Sequence, residues 1–174
     1  REKLRFEISQ SVTEAGKLAE SGGLSDEVFD KLVNNIKKNI GPKGLSSEQA
    51  ESEIKRLNKQ RSFGLVEVFS RMGTSRDLNN LATYIDSDGQ RTKGMSPDVI
   101  AAGNSILEKT SPDNRDAVVS KINGLKSTVA SEEAEMEDAL ELQNAYSRIT
   151  AGGGNVNEKD DRVYSQDILD NLGI

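Results

Sequence analysis

Histidine, cysteine and tryptophan are all absent from this chain. Without histidine it lacks the commonest general base, the commonest metal ligand and the near-neutral pH switch. Without cysteine it has neither a disulfide framework nor a thiolate metal site. Aromatic residues make up only 4% and hydrophobic residues 34%, a low fraction for a compact globule, whereas 30% are charged. That balance suits thin helical layers, elongated bundles or one piece of a larger assembly. No run approaches the roughly 18 apolar residues that a membrane span needs, and REKLRFEISQ at the start has no signal-peptide core. A net charge of -6 argues against general polyanion binding. Because the first residue is Arg1 rather than Met, the chain is expected to be a segment of a longer polypeptide.

What is present is helical periodicity. At 174 residues the chain suffices for one domain or two small helical subdomains. Leu4, Ile8, Val12, Ala15 and Ala19 recur at spacings of four and three before Ser21-Gly22-Gly23 stops the run. Ser25 is a natural N-cap for a second helix burying Val28, Phe29, Leu32, Val33, Ile36 and Ile40, with Leu24 stapled on Phe29 and Gly41-Pro42 as its stop. Ser46 to Gln49 fits a capping box opening a long third helix toward Met72, with Ile54, Leu57, Leu65, Val68 and Met72 as its stripe. Arg61 on that stripe and Gly64 within it predict a kink or break. Leu78, Leu81, Ala82 and Ile85 mark a short fourth helix.

Ser96-Pro97-Asp98 and Ser111-Pro112-Asp113 each combine a cap hydroxyl, a first-turn proline and a carboxylate at the positive helix end. They predict a helical hairpin, one helix burying Ile100, Gly103, Ile106 and Leu107, the other Val118, Ile122 and Leu125. A further long acidic helix is expected from about Val129 to Ala151, ended by Gly152-Gly153-Gly154, and a last one capped by Asn157 with Tyr164, Ile168 and Leu172 on its face. The fold class is therefore all-α: a bundle or array of about seven to eight helices without a sheet. Residues 1–85 are expected to form an N-terminal helical subdomain, 86–95 a polar linker loop, and 96–174 a C-terminal subdomain ending in a junction to a further unit.

Few stretches resemble chemistry. Asp86, Asp88 and Gly89 fit the third, fifth and sixth positions of a calcium loop, but Tyr84 and Met95 stand at the first and twelfth, where the cage needs oxygen donors. A polar turn with a left-handed bend at Asp88-Gly89 is the expectation. Glu20-Ser21 echoes the acid of lytic transglycosylases, yet Gly41 to Ser46 lacks the methionine and glutamine of their following motif, and a general acid needs an apolar pocket. Lys55, Arg56, Lys59 and Arg61, beside Phe63, could touch phosphates; with Glu51, Glu53 and Glu67 around them, they read better as a solvated helix face. The triple glycine lacks the lysine and Ser/Thr of a phosphate loop. No catalytic residue, cofactor, metal or small-molecule ligand is expected. Ala139, Leu142, Tyr146 and Ile149 form a narrow seam for one partner helix, and the acidic run containing Glu132, Glu133 and Glu135 could meet a basic partner.

Near the C-terminus, ITAGGGNVNEKDDRVYSQDIL (Ile149 to Leu169) resembles a helix–glycine–acidic junction recurring in the internal, genome-ejection proteins of tailed-phage virions. The stretch from Ser96 to Leu125 is similar in character. The resemblance implies a non-enzymatic helical segment of a large virion protein, acting in assembly or genome ejection. Its partners would be other virion subunits or copies of itself, with DNA contact not indicated. It would lie in the virion interior and be delivered on infection into the host envelope or cytoplasm. The alternative is a helical interaction module, such as a scaffold or secreted bacterial effector domain; a peptidoglycan-cleaving domain comes third.

Overall fold

Six α-helices and one 3-10 turn account for 82% of residues 2–151, the part of the chain that the computed structural model describes. The helices are α1 (Glu2–Glu20), α2 (Asp26–Lys38), α3 (Ser47–Met72), α4 (Ser75–Asp86), α5 (Pro97–Lys109) and α6 (Arg115–Ala151), with the 3-10 turn at Pro112–Asn114. Among the described residues there is no strand, only an isolated bridge between Ile40 and Leu45. The expected helix capped by Asn157, the triple glycine before it and the acidic junction lie outside the described residues.

The helix starts follow directly from their caps. Ser25, Ser46, Thr74 and Ser96 each accept a bond from the amide three residues on, and the Ser46 and Thr74 amides donate in return to the Gln49 and Asp77 side chains, completing a capping box at each. Ser111 departs from this pattern and makes no side-chain cap. Its own amide donates instead to the Asn58 side chain on α3 (2.9 Å), which draws the segment into a 3-10 turn before α6 begins.

Helix α3 organises the first compact unit, residues 1–129, because α1, α2, α5 and the 3-10 turn all pack against it. Its N-terminal half contributes Ala50 and Leu57 to one core with Ile8, Val12 and Ala15 of α1 and Phe29 and Ile36 of α2. Its C-terminal half contributes Val66 to a second core with Leu78, Leu81, Ile85, Val99, Ile106, Val118 and Ile122. A helix surrounded in this way is buried around much of its circumference, so its single expected stripe is only part of its packing surface. Leu57 and Val66 are fully buried, whereas Met72 stands 88% exposed.

Several expectations need correction. The α3 helix runs unbroken through Gly64, which is glycine because the backbone of Ala19 on α1 crosses there; an added Cβ would collide with the Ala19 carbonyl. Helix α2 ends at Lys38, so Ile40 leaves the helix for the turn and is 43% exposed; Val28 is exposed as well. On α5 it is Val99, not Ile100, that is fully buried. The second arm of the expected hairpin and the long acidic helix are one helix, α6, because no proline interrupts the chain between Leu125 and Ala130 and Gly124 is tolerated inside it.

The compact division falls between Val129 and Ala130, not in the 86–95 loop. Helices α4 and α5 on either side of that loop share one core, with Met95 packed against it, so the loop is an internal connection. The described part of the second unit is the remainder of α6.

Candidate interaction surface

From Ala130 to Ala151 α6 carries six acidic residues and a single basic one, Arg148. All its side chains are exposed or half-buried. Met136, Leu140 and Tyr146 are 74%, 57% and 64% exposed. On a helix of 3.6 residues per turn, Glu132, Met136 and Leu140 form one row, and Glu133, Glu137 and Glu141 form the next. Of the expected seam, Ala139 and Tyr146 are exposed and Leu142 and Ile149 half-buried; Glu132 and Glu135 are exposed and Glu133 half-buried. Met136 and Leu140 extend the apolar surface beyond that seam. Their spacing of four was readable in the sequence, but they sit among carboxylates, where an apolar stripe is easily passed over.

The other candidates meet different fates. In the YIDSDGQRTKGM loop, Asp88 and Gly89 both adopt the left-handed conformation, with φ of +54° and +78°. The Gly89 amide closes on the Tyr84 carbonyl (2.8 Å), while the Ser87 hydroxyl donates to that carbonyl and accepts from the Arg91 amide. The Asp88 carboxylate accepts a charged bond of 2.7 Å from Arg115. Among the described residues no group of three or more ligand-type side chains is placed to hold a metal.

Glu20 ends α1 as an exposed residue, and its carbonyl accepts from Arg71. The cleft it lines is about 370 Å³ and is bordered by Lys17, Arg56, Lys59 and Gln60. That lining sets three cations beside Phe63, and is not the apolar pocket a glutamic general acid requires. Gly41 to Ser46, the other half of the transglycosylase echo, builds the α2–α3 turn through bonds from Leu45 to the Asn39 carbonyl (2.7 Å) and from Gly41 to the Leu45 carbonyl (3.0 Å).

The basic residues of α3 do not act as one face. Arg56 turns to α1, donating to the Ser9 carbonyl (2.7 Å) and to Thr13, and pairs with Glu53 at 3.0 Å. Lys59 lies over the Phe63 ring. Arg61 turns to the other side, its guanidinium 3.6 Å from the Phe29 ring centre, and donates to the Lys109 carbonyl (2.9 Å). Burial pushes the Arg61 guanidinium below its ordinary value, and Asp26 and Asp30 pull it back up. Asp26 bridges Arg61 at 3.6 Å and Lys109 at 3.2 Å, tying the start of α2 to the end of α5.

Between the two cores lies a polar seam that sequence reasoning missed. Asn58 donates to the Lys109 carbonyl (2.7 Å), its oxygen accepts from Asn114 (3.0 Å), and Ser62 bonds Thr110 at 2.6 Å in a fully buried pair. Asn58 and Ser62, four apart and lying between the buried Leu57 and Val66, were the available signal. Beside the seam a groove of about 770 Å³ opens between α2 and α3, with Phe29, Val33 and Ile54 under a rim of Glu48, Glu51 and Lys55. No described helix is long and apolar enough to cross a membrane. Comparison with protein-family models, curated proteins and solved structures found no match.

Proposed function

We propose that this chain is a non-enzymatic helical segment of a large phage virion protein, acting in assembly or genome ejection. The observation that carries the assembly role is the exposed, acidic and apolar surface of α6 from Ala130 onward. Large apolar side chains held in water on a regular helix mark a surface built for a partner. The first unit supplies a helical body in which polar side chains hold helices together: Asn58, Ser62 and Asn114 in the seam, Arg56 on α1, Arg61 on Phe29. The junction after Ile149 and the Ser96–Leu125 stretch supply the virion context through their resemblance to internal virion proteins. A helical scaffold or effector module would share the same docking surface but act on a host or cellular partner.

Mass spectrometry of purified virions separates these readings. The expected result is recovery of tryptic peptides such as Asp77–Arg91 within a much longer virion polypeptide. Particles lacking these peptides would overturn the virion reading and leave the interaction module in its place.

A further inference from the structure

The two compact units differ sharply in charge. Residues 1–129 hold 20 basic and 18 acidic side chains, whereas residues 130–174 hold 3 basic and 11 acidic. The excess positive charge of the first unit has a local expression where α2 ends. Lys37 and Lys38 close that helix, Lys43 follows in the turn, and a cleft of about 410 Å³ opens there. Its walls include Leu4, Lys38, Ile40, Pro42 and Lys43, with no carboxylate among the lining residues. Ile40, left outside α2, is 43% exposed, so the cleft pairs apolar contact with two ammonium groups. The α6 surface presents the complement: Met136 and Leu140 in one row, Glu133, Glu137 and Glu141 in the row beside it.

We propose that the Met136–Leu140 face of α6 docks on the Lys38/Lys43 cleft of a second copy of this chain, in a head-to-tail contact. This rests on the docking role assigned to α6 above and names its partner. Buried apolar contact supplies the affinity, since exposed ion pairs alone are worth at most about 1 kcal/mol each, and the charges fix orientation and partner choice. A second copy docking through the same α6 face would oppose carboxylate to carboxylate, so the contact joins two different patches. Each copy then keeps one free patch of each kind, and association continues into rings or open chains.

Sedimentation of the full chain tests this with two double variants, Met136→Gln/Leu140→Gln and Lys38→Gln/Lys43→Gln, at exposed positions that leave the melting temperature in place. The wild type is expected to exceed the dimer with rising concentration, weakening by about tenfold or more between about 50 and 500 mM NaCl as screening shortens. Each variant alone should remain at the 18.9 kDa monomer. Mixed, they retain one intact patch each and should form a 1:1 heterodimer and nothing larger. A cleft variant that self-associates as the wild type does would overturn the cleft assignment while leaving α6 as a docking surface. A wild type that stays monomeric at about 100 μM, a concentration far above most specific affinities, would overturn self-docking altogether. Docking on a different virion protein would then still stand.

Discussion

Glycine has opposite meanings at two helical positions. At Gly64 the Ala19 backbone occupies the space a side chain would need, while nothing lies within 4 Å of a Cβ at Gly124. Gly64→Ala should therefore destabilise the chain by about 1–3 kcal/mol through overpacking. Gly124→Ala should stabilise it by about 0.5–1 kcal/mol through helix propensity. Urea unfolding of both variants would check the pair of signs. From sequence alone Gly64 reads as a helix weak point, because the crossing of α1 over α3 is a tertiary event with no local trace. The turn at Asp88 was legible, since an Asp-Gly pair favours the left-handed conformation that both residues adopt. The grip of Arg115 on Asp88 was not, being a contact between residues 27 apart. With that carboxylate already paired, millimolar calcium should leave the melting temperature unchanged; a rise of several degrees would assign the loop an ion.

Helices whose ends carry local chemistry were legible at the scale of the element. Ser25, Ser46, Thr74 and Ser96 fix four starts through bonds within one turn of chain, and Gly73 fixes the end of α3, whereas α2 stops at Lys38, short of the Gly41-Pro42 breaker. Where no such signal exists the reading went astray. The α6 helix was divided in two because an apolar stripe gives way to an acidic one near Val129, yet a change of face composition does not end a helix unless a breaker stands there. The linker assigned to residues 86–95 failed for a related reason. A polar, glycine-bearing loop looks the same whether it separates two cores or returns to one, and here α4 and α5 close on a shared core. The two clusters of buried residues do exist, but α3 belongs to both, so the seam between them crosses the middle of a helix at Asn58 and Ser62.

The whole molecule combines a body held by internal polar and apolar contacts with a helix that presents Met136, Leu140 and Tyr146 to water among carboxylates. The missing histidine and cysteine, legible at once, narrow the chemistry available to the chain; the surface that α6 offers is what the fold adds. The most direct measurement is site-specific photo-cross-linking from position 140, with a photoreactive residue replacing Leu140 in the full chain under the conditions of the proposed self-association. The account predicts a covalent adduct to another polypeptide chain, lost when Met136 and Tyr146 are both changed to Gln. A residue 140 that forms no adduct to another chain under those conditions would contradict the claim that α6 is a docking surface.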